Sequence, residues 1–282
     1  MKFITSRGNS FFRQLTKLED SARQRRTAGL TLLDGIHLIS AYHLALGPPN
    51  NLIVSESGCE SAEIKRFLET PGTGGADAIV LSDALFRDVS PVKTPTGIMA
   101  LISIPPAPDI PMDKDERSDR FCVLLEAIQD PGNLGSILRS AAAAGASDIY
   151  LSDGCTDAWS PKTLRAAMGA HFLLRIHERS NLADMARTFS GKVIAATARS
   201  KISLYQTRLT GPIAFVFGNE GMGLSKAVLQ ATSERISIPM QGGTESLNAA
   251  VAAAVFFFER VRQEKMSAGC VVDETQADVM PD

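Results

Sequence analysis

Short apolar runs alternate with longer helix-periodic stretches along most of this chain, and that alternation lays out its elements. In the first hundred or so residues it predicts strands at 30–33, 52–55, 78–82 and 98–104, with helices at 36–46, 61–70 and 83–89 between them. Ahead of these, Phe11, Phe12, Leu15 and Leu18 follow helical spacing within residues 3–26, with bases interleaved, which predicts one amphipathic helix facing solvent. Beyond residue 120 the pattern predicts strands at 121–128, 148–151, 172–176, 192–197, 213–217 and 236–238. Helices are predicted at 134–144, 160–168, 181–189, 225–231 and 249–265. Alternation of this kind implies a mainly parallel sheet with helices on both faces, with ligands beyond the carboxyl ends of its strands.

Between the two blocks, IPPAPDIPMDKDERSDR carries four prolines and mixed charge without periodicity. It reads as a linker over 105–119 that holds two domains apart, a smaller α/β domain at 1–104 and a second at 120–266. The remainder, 267–282, is polar and acidic, and disorder is expected there. The stretch ISIPMQGGTESLNAAVAAAVFFFE, residues 236–259, joins a strand, a polar loop and an almost wholly apolar helix. Pro239 closes the strand, Gly242-Gly243 permits a turn, and Ser246 or Asn248 caps a helix beginning at Ala249. That helix is too short to cross a bilayer, which needs about 20 apolar residues, and a fully buried helix is expected.

With 282 residues and 44% hydrophobic content, the chain can bury a core in each domain. Its formal charge of −2 provides no global attraction to nucleic acid, so any basic surface must be local. The first thirty residues hold such a surface, with Lys2, Arg7, Arg13, Lys17, Arg23, Arg25 and Arg26 set against only Glu19 and Asp20. Cys59, Cys122, Cys155 and Cys270 have neither metal-ligand nor redox spacing, which points to reduced thiols in a cytoplasmic protein and to no metal. No apolar segment of a secretory signal opens the sequence.

Three strand-end loops carry the candidate chemistry. The first, NLGSILR at 133–139, can be read as Asn133 capping a helix, Gly135 allowing close packing and Arg139 facing solvent. The second, FGNEGMGLS at 217–225, sets three glycines around Glu220, whose charge and lack of a Walker lysine argue against a phosphate cradle. The third runs from Met240 to Asn248. No GxGxxG follows a strand, which weighs against a nicotinamide-dependent oxidoreductase.

Taken in order, the three segments resemble the motifs of the SpoU (TrmH) family of RNA ribose 2′-O-methyltransferases within the SPOUT superfamily, with I-P-M then S-L-N and an apolar helix as the most specific part. Ser160-Pro161-Lys162 through Ala166, then Gly169-Ala170, resembles the family's segment between the first two motifs, with Ala167 where a serine is often found. The first domain is similar to the L30e-like substrate-binding domain of many members at Ile4-Thr5-Ser6, Asn9, Arg25-Arg26, Asp34-Gly35 and Thr94 to Ile98, with Asp34 replacing the usual glutamate.

The resemblance implies S-adenosylmethionine bound in a C-terminal trefoil knot, an exception to ordinary chain topology. Gly218, Ile238 and Leu247 are then expected to contact the cofactor, and Thr197, Ala198 and Met240 to line its cleft. It implies methyl transfer to a ribose 2′-hydroxyl, with Arg139 stabilising the developing alkoxide, Asn133 and Asn248 positioning the ribose and the loop backbone, and Glu220 fixing those groups or handling a proton. It further implies a homodimer, an RNA surface at Arg7, Arg25 and Arg26, and ribosomal rather than transfer RNA as substrate. The alternatives are a SPOUT base methyltransferase and a non-catalytic RNA-binding or ribosome-assembly protein; the Asn133/Arg139 pairing argues against the first, and the retained polar motif residues against the second.

Overall fold

The structure, a computed structural model, describes residues 1–106, 120–198, 200–219 and 221–267. The greater part of the expected linker and the expected disordered tail lie outside the described residues. Among the described residues the strands form two sheets, one of five and one of six.

In the N-terminal sheet the order is β1-β4-β3-β5-β2, built from β1 (Lys2–Ile4), β2 (Leu30–Asp34), β3 (Asn51–Ser55), β4 (Ile79–Leu81) and β5 (Ile98–Ser103). It is mixed: β1, β4 and β3 run parallel, while β5 is antiparallel to both β3 and β2. Residues 3–26 do not form the single expected helix. Only Ile4 of β1 is buried, so this edge strand leaves no apolar period in the sequence. Asn9 then caps α1 (Ser10–Asp20) by accepting from Phe11 N, and Ser21 ends that helix while capping α2 (Ala22–Ala28) through Gln24 N. Helices α3 (Ile36–Leu46), α4 (Ala62–Glu69) and α5 (Asp83–Val89) complete the domain.

The second sheet is parallel at every described pairing, in the order β11-β9-β10-β6-β7-β8. Its strands are β6 (Phe121–Leu125), β7 (Asp148–Leu151), β8 (Arg175–His177), β9 (Lys192–Ala196), β10 (Ile213–Phe217) and β11 (Glu234–Ile236). The helices are α6 (Pro131–Ala143), α7 (Pro161–Ala167), α8 (Leu182–Thr188), α9 (Lys226–Ala231) and α10 (Ala249–Ser267). Here too some boundaries move. Ala127 takes a φ of 55°, so β6 stops before the expected end at 128. The expected strand at 172–176 is a helical turn at Ala170–Leu173 followed by β8, because Gly169 at φ 91° redirects the chain. Strand β11 ends at Ile236, two residues short of Ile238.

A knot of phenylalanines seats α10 on the sheet centre. Phe256 and Phe257 meet Phe215 and Phe217, and Phe257 meets Phe121 edge-on at 5.4 Å, while the Arg260 guanidinium lies 4.8 Å from the Phe121 ring. The helix is not buried all round, as its apolar composition suggested: Val251 and Phe258 each remain 50% exposed. Before and within α10 the chain embraces the 197–212 segment. Ser237 N donates to Ile202 O, Leu204 N to Ser237 O, and the Gln263 and Glu264 side chains accept from Leu209 N and Gly211 N.

Contrary to the reading of the proline-rich segment as a spacer, the two domains pack on each other. One continuous core runs from Leu33, Ile39 and Tyr42 to Phe121, Trp159 and Phe257. Tyr42 meets Phe172 edge-on at 5.3 Å, and Thr31 Oγ1 donates to Trp159 O at 2.6 Å.

Candidate active site

The strand ends of β6, β9, β10 and β11 lie side by side at one edge of the parallel sheet, and each is followed by a loop named above. After β6 the chain turns through Ala127, an alanine in the left-handed region that favours glycine. Hydrogen bonds hold it from both sides: its N–H donates to Ser152 Oγ at 3.0 Å, and Asn219 Nδ2 donates to its carbonyl at 3.0 Å. Glu126 Oε2 accepts from Ser225 N at 2.8 Å, which ties the same turn to the far end of the β10 loop. That loop folds on itself around Asn219, whose Oδ1 accepts from Gly221 N and Met222 N. A Cβ on Gly218 would stand 2.6 Å from the Gly223 backbone, so only glycine permits this close turn.

The turn at Ala127 leads into α6 earlier than expected. Asp130, not Asn133, is the cap, accepting from Asn133 N at 2.8 Å, with Pro131 opening the helix. Asn133 therefore sits in the first helical turn with its side chain released from capping. Across 115 residues it meets Asn248, whose Nδ2 donates to Asn133 Oδ1 at 2.9 Å. The other end of the Asn248 amide caps α10, its Oδ1 accepting from Ala250 N at 2.9 Å and Val251 N at 3.3 Å. Of the two caps left open by the sequence, Asn248 is the one used. Its single amide joins the first and third motifs.

Arg139 lies farther along α6, exposed, and makes no hydrogen bond or ion pair among the described residues. Glu220 lies outside the described residues. Thr197 and Ala198 directly follow β9, with Thr197 N donating to Ile236 O at 2.9 Å. Gly218 directly follows β10, and Ile238, Met240 and Leu247 are half-buried beyond β11, with Ile238 packed against the core. Thr197 and Gly218 thus follow neighbouring strands at one end of the sheet. The apolar side chains of Ile238, Met240 and Leu247 suit an adenine ring, which needs apolar walls. The steric demand at Gly218 supports the same fit, since it keeps the β10 loop closed against the strand end.

The basic residues do not share one fate. Arg7 is exposed and pairs with Asp88 at 2.7 Å. Arg26 is exposed and borders a cavity of about 230 Å³ that also reaches Ser152, Glu178 and Arg179. Arg25, expected on the RNA surface, is 4% exposed. Its guanidinium contacts Asp157 of the second domain at 2.6 Å and donates to Leu18 O and Glu19 O. Buried and held to Asp157 through Nε and Nη2 and to two carbonyls through Nη1, Arg25 is a domain-packing residue. The supporting residues Ala127, Ser152 and Asn219 were not singled out from sequence; only Asn219 stood inside a recognised motif. Among the described residues no group of three or more His, Cys, Asp or Glu could hold a metal ion, and no helix is long and apolar enough to cross a membrane.

Residues 120–258 match the model of the SpoU rRNA Methylase family. The 23S rRNA (guanosine(2553)-2'-O)-methyltransferase RlmP of Bacillus subtilis is 31% identical over 260 residues, covering 92% of this chain and 98% of that protein. A 23S rRNA (uridine(2479)-2'-O)-methyltransferase of Streptomyces viridochromogenes is 31% identical over 272 residues, covering 92% of each. The crystal structure of the SpoU methyltransferase AviRb from that organism, in complex with AdoMet, superposes with a TM-score of 0.78 at 28% identity, covering 92% of this chain and all of that one. With relatives of 31% identity covering 92% of the chain, and the loops after β6, β10 and β11 following strands at one end of the parallel sheet, the chain belongs to the SpoU rRNA methylase family.

Proposed function

We propose that this protein transfers a methyl group from S-adenosylmethionine to a ribose 2′-hydroxyl of ribosomal RNA. The observation that carries the proposal is the Asn133–Asn248 hydrogen bond on the helix that also presents Arg139, an exposed cation with no protein partner among the described residues. S-adenosylmethionine, when bound, supplies an electrophilic methyl group on a sulfonium. Gly218, Ile238, Leu247, Thr197, Ala198 and Met240 hold it along the shared strand-end edge. Arg139 brings a guanidinium cation that stabilises the alkoxide developing as the hydroxyl loses its proton. Asn133, its amide orientation held by Asn248, positions the ribose. Glu220 fixes these groups or accepts the proton.

Ribosomal RNA is favoured because the full-length relatives above are named for that substrate. Arg7 and Arg26 are the exposed cations proposed to meet RNA phosphates. The half-exposed Val251 and Phe258 on α10 support a homodimer through that helix face. The protein is proposed to act in the cytoplasm.

The test is transfer of tritiated methyl from S-adenosylmethionine to total RNA of a strain lacking this gene, followed by nucleoside analysis. Label in a 2′-O-methylnucleoside of the ribosomal fraction is expected. Label on a base, or none despite measured cofactor binding, refutes the proposal. Arg139→Ala should retain cofactor affinity and lose turnover; normal methylation by that variant would remove Arg139 from the mechanism.

A further inference from the structure

Asp34 ends β2 in the N-terminal domain, and its side chain is 1% exposed. Thr96 Oγ1 donates to it at 3.3 Å, and Arg165 Nη1, from α7 of the second domain, donates to it at 2.5 Å. The segment entering α7 is held by the same strand, through the Thr31 Oγ1 bond to Trp159 O. On its other side α7 lies against α6 at Gly135. A Cβ there would fall on the Ala166 side chain and stand 2.7 Å from Thr163 O and 2.9 Å from Ala167 N. The two helices are thus in close contact, with nothing longer than the Ala166 methyl against Gly135 to absorb a displacement. Arg139 follows Gly135 by four residues, one turn on and on nearly the same side of the helix.

We propose that Asp34 and Arg165 are positioning residues for methyl transfer: their ion pair sets α7 on the N-terminal domain, and α7 in turn sets α6 with Asn133 and Arg139. The inference rests on the function proposed above and assigns these two residues a part in it. Bonded and covered in this way, the Asp34 carboxylate is directed at Arg165 rather than at RNA. Stability alone is a poor reason for such a pair, because Asp34 gives up its hydration on burial while the Arg165 side chain stays 45% exposed, where solvent weakens the attraction that would offset that cost. In keeping with that, burial raises the Asp34 carboxyl above its usual range even though Arg165 and Thr96 pull it down. What the pair does supply is a directional contact, at a place where a shift of α7 must be passed to the helix bearing Arg139.

The test uses the full chain with Arg165→Met, Asp34→Asn, their double variant and Arg165→Lys. Each single variant is expected to lower kcat about tenfold while leaving the dissociation constants for RNA and S-adenosylmethionine within about twofold. The double variant should be no worse than either single one, and Arg165→Lys should recover most of the loss. Amide hydrogen exchange should accelerate in α7 and the first two turns of α6 of Arg165→Met, and stay unchanged in β6 and β10. Unaltered kcat, weakened RNA affinity at full kcat, or single losses that multiply in the double variant would each overturn the inference. Should the wild-type protein transfer no methyl group, the exchange measurement still decides: acceleration in α6 supports the link and its absence removes it.

Discussion

Asn248 does two things with two atoms, and they can be separated. Its Oδ1 caps α10, and its Nδ2 holds Asn133. Loss of an Asn cap costs about 1 kcal/mol, and loss of one neutral hydrogen bond about 1 kcal/mol more. Asn248→Ala should therefore destabilise the protein by about 2 kcal/mol, a fall of about 4–8 °C in Tm for a chain of this size. Asn248→Ser keeps an acceptor for the α10 N–H groups but is too short to reach Asn133. It should recover about half of the lost stability. Its turnover, however, should remain as low as that of Asn248→Ala, about tenfold below wild type, since each tenfold corresponds to about 1.4 kcal/mol of misplaced transition state. Thermal unfolding followed by circular dichroism gives the first quantity, and methyl transfer under saturating substrate gives the second. If Asn248→Ser regains activity in step with stability, the Asn133 bond has no role in turnover and the reasoning fails.

The two neighbouring arginines of α2 should behave oppositely. Arg25→Ala strands Asp157 in a buried site and is expected to cost about 3–5 kcal/mol in urea unfolding, whereas Arg26→Ala should leave stability unchanged and weaken RNA binding with a shallower salt dependence. His171 is buried and accepted only as the neutral ring, its pKa pushed down by burial to about 4 from an ordinary 6.5. Because the unfolded chain takes up that proton first, stability should fall as pH drops from about 6.5 to about 4, by an amount on the order of 3 kcal/mol. His171→Gln should flatten that limb of the pH–stability curve, and a curve unchanged by the substitution would assign the effect to another group.

Much of the architecture was legible because burial leaves a period. The continuous run IAFVF gave β10 its limits at Ile213 and Phe217, and Ile36–Leu46 was bounded correctly by Gly35 before it and Gly47 after it. Strand β1 was missed because an edge strand with one buried residue has no period to see. The motif residues were legible by type, but not their partners: the Asn133–Asn248 bond spans 115 positions, and nothing local records it. Arg25 shows the same limit from the other side. Its charge resembles that of Arg26, and only the packing of the second domain against α2, through Asp157, separates a buried anchor from a surface cation.

The order of strands in the second sheet has a consequence for the chain as it leaves the ribosome. Strand β6 emerges early but gains its β10 neighbour only after some ninety further residues, and Asn133 gains Asn248 later still. Closing a loop of that length costs about 4 kcal/mol in chain entropy before any contact offsets it. Every described pairing in the sheet is parallel, which makes it slow to assemble and leaves strand edges open meanwhile. A chain that stops before residue 248 has no α10 to cover Phe121, Phe215 and Phe217, and no partner for Asn133. On the proposed mechanism, synthesis completes the site only once α10 has been made, so an incomplete copy that captured RNA through its N-terminal domain would hold it without modifying it.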